Sequence, residues 1–408
     1  MTFTSLLQRA LSRLHYLPII LVSTYVLFIA LILHPQIQAH NVFLHSINFP
    51  FHLDLSKPEK IKSLPAGKVR NFQITSIDGI KISGWHLLPN SVERSGQDDD
   101  FDQALKERGT LIYFHGNAMN RAAPFRIQAY SQFTALDVNV VAIDYRGFGD
   151  SAGLPSEEGL QRDARATYRW IKERQKEQQG MNSSDIELPD VYIAGQSLGT
   201  GVAARLALDL IRVEQSPKGL FLIAPYTSIA NLLTSYKIGG FIPLFWPLGL
   251  WKVLSDLTDR HLYTRFESHK ALYQIVKGGP SSLSQDESER YGDLEYTLSR
   301  DALLQELGQI PSSSDKKNTK PPSIIISHAD DDAVIPNSHG RSLLDTISVA
   351  LGHTPESITG VDYHWGKTLS LQDKTNERTY VLIKSRQGGH NGVPQHAVKI
   401  FSSLVGLD

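Results

Sequence analysis

There is no cysteine in the 408 residues of this chain. Disulfides, cysteine-based zinc sites and a thiol nucleophile are excluded at once, and the redox compartment is left unread. Neither sign of charge is in excess: 41 Lys and Arg stand against 42 Asp and Glu, a formal net charge of −1. A nucleic-acid partner normally calls for a basic face, and none is visible. No HExxH, Walker A or EF-hand spacing occurs, so the sequence argues for no metal, nucleotide or other cofactor. Hydrophobic residues make up 41% and charged residues 20%, which is ordinary for a globular protein rather than a disordered or fibrous one. The length suits one large domain or two smaller ones.

One lack is local. Between residues 14 and 53 there is no Asp, Glu, Lys or Arg, and inside that gap residues 17–33 read LPIILVSTYVLFIALIL. With Tyr16 and His34 at its ends, such a run covers a hydrocarbon core of about 30 Å at helical rise. In lipid the backbone must pair with itself, so a helix is the expected form. Arg9 and Arg13 precede the run, and a basic flank favours a cytosolic N-terminus with the remainder on the lumenal or outer side. A cleaved signal peptide competes, since Ile37-Gln38-Ala39 is a weak cleavage site, but signal-peptide cores are shorter, about 7–15 residues, which favours an uncleaved anchor. The single glycosylation sequon, Asn182-Ser183-Ser184, fits a lumenal domain. The expected organisation is a cytosolic N-terminus over 1–13, a transmembrane anchor over 14–34, a linker over 35–64 and a folded domain over 65–408. The expected placement is a single-pass protein of the endoplasmic reticulum membrane with the folded domain lumenal.

From about residue 65 strand-like and helix-like segments alternate. Residues 70–88 read as a β-hairpin around Asp78-Gly79, and the polar, acidic stretch 92–108 reads as a surface loop. Short runs rich in β-branched and aromatic residues follow at 110–114, 138–143, 191–194, 220–224, 323–327 and 380–384, most of them separated by helical patterns at 121–136, 156–176, 198–212 and 340–351. Apolar strands alternating with helices predict an α/β fold whose mostly parallel central sheet is covered on both faces. Ligands in such sheets bind at the carboxyl ends of the strands. Residues 229–276 interrupt the alternation and carry the apolar, aromatic run 241–251, whose two prolines forbid one long helix. That stretch reads as an inserted cap or lid. The polar insert after it, 277–322, reads as solvated loops around a short helix over 300–307.

Chemistry is concentrated at three places. Gly195-Gln196-Ser197-Leu198-Gly199 fits G-x-S-x-G, with a strand running into it and a helix running out, the setting a nucleophile elbow needs. The helix N-terminus aims N–H groups at any anion beside Ser197. A serine hydroxyl needs a base to act, and in an α/β-hydrolase the acid and base follow in the order Ser, Asp or Glu, His. After the strand at 323–327 comes His328-Ala329-Asp330-Asp331-Asp332, with Pro336 beyond. The pattern of an acid four residues after a histidine selects Asp332, with Asp331 next, and leaves the other aspartates to serve the turn. After the last strand, Gly388-Gly389-His390-Asn391-Gly392 puts His390 on a loop able to reach the elbow, whereas His339, His353, His364 and His396 lie at a helix start, before the strand or inside the terminal helix. The oxyanion formed in acyl transfer calls for two N–H donors. Leu198 supplies one by position, and Asn117, in the loop His115-Gly116-Asn117-Ala118 after the strand 110–114, is the candidate for the second. His115 reads as structural.

Taken together, YFHGNAMNR (113–121), DYRGFGDSAGLPSEEGL (144–160), GQSLGTGVA (195–203) and HADDDAVIP (328–336) resemble the membrane-anchored α/β-hydrolases that include the lysophosphatidylserine and monoacylglycerol lipases. The resemblance covers about residues 65–275 and 320–408. It implies the α/β-hydrolase fold and a triad of Ser197, Asp332 and His390. Asp144, Arg146, Gly147 and Gly149 match a further family motif, read here as a turn whose charges pair internally. The departures are the polar inserts near 93–107 and 277–322.

The apolar lid and the anchor point to a lipid ester, a monoacylglycerol or lysophospholipid, cleaved through an acyl-enzyme on Ser197. The expected partners are that lipid and the membrane, with no nucleic acid. An acyl-protein thioesterase or peptidase would use the same triad. A catalytically silent scaffold is disfavoured because no triad position is missing.

Overall fold

Runs such as Thr110-Leu111-Ile112-Tyr113-Phe114 have no polar face, so they are stable only with both faces covered. In the computed structural model of the chain they form the middle of one ten-stranded sheet. The structure describes residues 16–93, 99–176, 188–235, 245–250, 252, 256, 258, 260–308 and 320–407. The expected cytosolic residues 1–13, the sequon at 182–184, and residues 241–244 and 251 of the lid lie outside the described residues.

The N-terminal part holds helix α1 (Leu17–Ile32) and helix α2 (Pro35–Phe43). An antiparallel hairpin follows, β1 (Val69–Thr75) and β2 (Lys81–Leu87), turning at Asp78-Gly79. The stretch expected as a surface loop instead contains α3 (Asp99–Glu107) with Phe101, Ala104 and Leu105 buried. Its acidic residues crowd the first turn, where the helix dipole favours them, so polarity there marks a helix start. Next come β3 (Thr110–Phe114), α4 (Pro124–Thr134), β4 (Asn139–Ile143), α5 (Glu157–Lys176), β5 (Val191–Gln196), α6 (Leu198–Arg212), β6 (Gly219–Ile223) and α7 (Ile229–Ser235). After the insertion, α8 (Ser268–Lys277), α9 (Gln285–Tyr291) and α10 (Arg300–Leu307) precede β7 (Ser323–Ala329) and α11 (Ser338–Ala350). The chain ends with β8 (Thr359–Tyr363), β9 (Gly366–Asp373), β10 (Arg378–Ser385) and α12 (Gln395–Val405).

The strand order is β1-β2-β4-β3-β5-β6-β7-β10-β9-β8. Pairing is parallel from β4 through β3, β5, β6 and β7 to β10 and antiparallel at both edges. This is the α/β-hydrolase architecture. The β8–β9 hairpin was not legible in the sequence, because every residue of β8 is exposed and an edge strand without a buried face leaves no alternating signature.

Two further expectations are corrected. The inserted cap does not extend to residue 276: α8 lies on α6 and α11 and buries Ala271, Leu272, Ile275 and Val276. The insertion closes at Arg265 and Phe266, whose N–H groups donate to the Glu157 carboxylate at 2.6 and 3.0 Å. Burial pushes Glu157 up to about 7 despite those two bonds. The helix expected over 300–307 is α10, which buries Leu303, Leu307 and Glu306, with Glu306 Oε2 accepting from buried Arg165 at 2.7 Å, but the stretch before it is not all loop, since residues 285–291 form α9.

The linker expectation for 35–64 is corrected as well. Phe43 is fully buried, Leu55, Ile61 and Leu64 join the core, and Leu55 O accepts from Trp85 Nε1 and Arg121. Its apolar residues come in groups of at most three among polar ones, which hides a packed segment from a hydropathy reading. As for the anchor, α1 spans 16 residues. Pro35 then starts α2, with His34 held extended, as a residue before proline tends to be. The two helices bend by 82°, and no single helix among the described residues is long and apolar enough to cross a membrane.

Candidate active site

Strand β5 ends and α6 begins within one residue of each other, and Ser197 sits on that corner. Its backbone is left-handed, with φ 51° and ψ −121°, a conformation non-glycine residues adopt only when their surroundings enforce it. The enforcement is close packing. A Cβ on Gly195 would lie 2.3 Å from Gly199 O, and one on Gly199 would lie 2.1 Å from Phe114 O. Only glycine lets β3, β5 and α6 meet so tightly.

Ser197 Oγ lies 2.9 Å from His390 Nε2, and His390 Nδ1 lies 2.9 Å from Asp332 Oδ2. The structure thus brings together three residues separated by 193 and 58 positions. Asp332 is fixed on its other side: Oδ1 accepts from Val334 and Ile335 N–H at 2.8 and 2.9 Å. Burial opposes its charge, but its hydrogen bonds with His328 and His390 outweigh that cost and hold it well below the ordinary carboxylate range. Two of the competing histidines are engaged elsewhere. His339 contacts Thr227 and Ser235, burial pushing it down to about 4, and His396 stacks on Trp365 at 3.8 Å.

Leu198 opens α6, so its N–H has no partner within the helix, and among the described residues no acceptor engages the N–H of Asn117. Both residues line the cavity above Ser197. The loop 116–120 is close to the elbow, where a Cβ on Gly116 would meet Ser197 Cβ at 3.1 Å. His115 is fully buried behind it, its Nε2 3.3 Å from Asp144 Oδ1. Asp144 in turn receives Arg121 N–H at 2.7 Å and Arg121 Nη1 at 2.6 Å. Arg146 pairs with Asp163 and Asp78. The DYRGFG segment therefore has its charges matched internally.

The cavity has a volume of about 840 Å³ and an apolar lining, within the usual range for small-ligand sites. Ile229, Leu232, Phe245 and Leu248 line it from the insertion, beside Tyr226, Ser197 and His390.

Comparison with known proteins adds to this geometry. The profile of the family described as serine aminopeptidase, S33, matches residues 106–360. The chain belongs to this family. Within the S33 family chain, 206 residues are 36% identical to the lysophosphatidylserine lipase ABHD12 of Danio rerio, covering 50% of each protein. The same enzyme of Xenopus tropicalis is 33% identical over 252 residues, 60% of this chain and 61% of that one. Protein ABHD12B of Homo sapiens is 30% identical over 264 residues, 62% and 66%. The first of these matches spans half of the relative's length and the others under two thirds.

Several groups around the S33 family site escaped the sequence reading. Each of the three aspartates has its own task. Asp331 Oδ1 accepts from Gly389 N–H at 2.7 Å and so anchors the His390 loop, while Asp330 accepts from Asn337 at 2.6 Å. His328 Nε2 lies 3.0 Å from Ile335 O and 3.4 Å from Asp332 Oδ2. Gln196 links Tyr113 Oη at 2.7 Å to Asn391 O at 3.2 Å, tying the last loop to the elbow.

The largest omission is Arg126, on α4 and 1% exposed. Its guanidinium donates to the carbonyls of Asn120 and Ala118 at 2.9 Å, Gly116 at 3.2 Å and Asn117 at 3.4 Å. Among the described residues no carboxylate pairs with it. A buried cation is thus bound to four carbonyls of the loop that carries Asn117. It orients those peptides and leaves positive charge behind the position an oxyanion would take. Arg126→Met is expected to lower kcat on a soluble short-chain ester about tenfold to a hundredfold with KM little changed. Arg126→Lys should recover part of the loss. Steady-state kinetics beside a thermal melt checks this; equal losses in kcat and folded fraction would reduce Arg126 to a stability role.

Proposed function

We propose that this chain is a membrane-anchored serine hydrolase that cleaves lipid esters, a monoacylglycerol or lysophospholipid, with Ser197 as nucleophile, His390 as general base and Asp332 as the acid that orients it. The observation that carries the reading is the Ser197–His390–Asp332 relay of two 2.9 Å bonds beside an apolar cavity. His390 Nε2 takes the Ser197 proton as Oγ attacks the ester carbonyl. The resulting oxyanion is received by the N–H groups of Leu198 and Asn117. Collapse breaks the bond to the alcohol, which leaves with the proton from His390. Water, activated by the same imidazole, then releases the fatty acid and restores Ser197.

The relatives named lysophosphatidylserine lipases favour a lipid substrate. The exposed apolar surface of α1 supports an N-terminal anchor, and the basic flank of that segment supports a lumenal or outer placement of the folded domain. The family description suggests a second reading, an aminopeptidase. Such an enzyme needs an acidic group to hold the substrate ammonium, and no Asp or Glu lines the cavity among the described residues.

A panel of monoacylglycerols, lysophospholipids, a palmitoyl-peptide thioester and aminoacyl amides, given to detergent-solubilised protein, tests these readings together. Turnover of one of the glycerol-based lipids is expected to exceed that of the thioester and the amides. Preference for the thioester or an amide would replace the substrate assignment while keeping the triad.

A further inference from the structure

We propose that the N-terminal helix pair is a wall of the active site as well as an anchor: the acyl chain of the substrate lies between α1 and the cap, and reaches Ser197 from the bilayer along α1. This rests on the hydrolase reading above and adds where the chain binds and how it enters.

Helix α1 is apolar on every side, so no amphipathic stripe selects the face it turns inward. Shape does so. Toward the N-terminus, Leu17, Ile19, Ile20, Leu21 and Val22 are all more than half exposed. Toward the C-terminus, Phe28, Ile29, Ile32 and Leu33 are half-buried, on the one face that spacings of three and four residues create. Phe28 stacks on Phe245 of the insertion with ring centroids 6.2 Å apart. A contiguous exposed apolar surface of this kind marks contact with lipid or another apolar partner. Here the same helix continues into the cavity that holds Ser197, which Phe28, Ile32 and Leu33 line together with Leu232, Leu233 and Phe245. No charged residue interrupts 14–53, so an acyl chain moving along α1 need not cross water.

The helix pair is also fastened at its far end. Buried Gln38 on α2 donates from Nε2 to Leu33 O and His261 O, at 2.8 and 2.6 Å, and accepts from Tyr263 N–H at 3.1 Å. Beyond α2 the backbone runs beside the oxyanion loop. Val42 O accepts from Asn117 Nδ2 at 3.2 Å, Phe43 O from Ala118 N–H at 2.9 Å and Phe49 O from Asn120 N–H at 3.1 Å. Ala118 and Met119 both have positive φ, 56° and 60°, and these bonds help hold them there. The segment that borders the acyl chain is therefore the one that supports the loop proposed to receive the oxyanion.

The first test is the chain-length profile of full-length Ile32→Trp in detergent, with monobutyryl- and monooleoylglycerol as substrates and fluorophosphonate labelling of Ser197 as the control. Overfilling the cavity is expected to lower kcat/KM for the oleoyl ester about tenfold or more relative to the butyryl ester, with the Ser197 label still taken. An unaltered profile with intact labelling overturns the proposal. The second test needs no variant: an alkyl fluorophosphonate with a diazirine at its chain end is attached to Ser197 of the wild-type protein, irradiated and mapped by mass spectrometry. Crosslinks to residues 28–44 are expected. Crosslinks confined to 226–262 overturn the wall, and no adduct on Ser197 at all overturns the hydrolase reading beneath it.

Discussion

Ser197→Ala is expected to abolish turnover, lowering kcat by about 10⁵- to 10⁶-fold, because removing the nucleophile of a cooperating triad costs about as much as removing the whole triad. Two evident substitutes are ruled out. The chain has no cysteine, and the hydroxyl of Thr200, one turn into α6, is engaged with Ser197 O at 2.7 Å. Fluorophosphonate labelling should vanish with turnover. Lipid binding should survive, since the apolar lining is untouched, and a fluorescent monoacylglycerol analogue should bind the variant as it binds the wild type. The control matters because the elbow is strained. If binding and the melting transition were lost along with activity, the result would report a collapsed corner and not a missing nucleophile. Turnover within about tenfold of wild type would remove Ser197 from the mechanism altogether.

The elbow was legible because its requirements are local. A strand, a serine between two glycines and a helix follow one another in sequence, and each glycine answers a specific close approach, Gly195 to Gly199 O and Gly199 to Phe114 O. The candidate acid and base were picked out by order and setting: Asp332 and His390 each lie on the loop after a buried strand, and β7 and β10 are neighbours in the sheet. What escaped depends on contacts distant in sequence. Arg126 reads as an ordinary charge in a helix with little apolar patterning, and only the fold turns it onto the carbonyls of residues 116–118 and 120. Residues 17–44 read as anchor and linker because hydropathy records what a segment is made of and not what it lies against. Asp331 read as a turn residue, and it does bind backbone N–H groups, but those of Gly388 and Gly389 across the site.

That division of labour among the aspartates leads to the second large effect. Asp332→Asn is expected to lower kcat by about 10⁴-fold, and the bonding around Asp332 gives the reason. Oδ1 accepts two backbone N–H groups, from Val334 and Ile335, so in the variant the amide oxygen stays on that side. The NH₂ group must then face His390 Nδ1, to which it can only donate. Nδ1 is driven to accept, the proton moves to Nε2, and Nε2 can no longer take the proton of Ser197 Oγ. His328 Nε2, 3.4 Å from Asp332 Oδ2, would face the same amide and add a second donor-to-donor clash. The fold should hold, because shape and volume are nearly conserved, and Ser197 should remain accessible to a small fluorophosphonate at a much reduced rate. Asp331→Asn is the matched comparison. Its oxygen can still accept from Gly389 N–H at 2.7 Å, so its loss should stay within about tenfold. Steady-state kinetics on one soluble ester for both variants decides the assignment. If Asp331→Asn proved as damaging as Asp332→Asn, the Asp332–His390 bond would not be the one that sets the imidazole tautomer, and the acid would have to be reassigned to its neighbour.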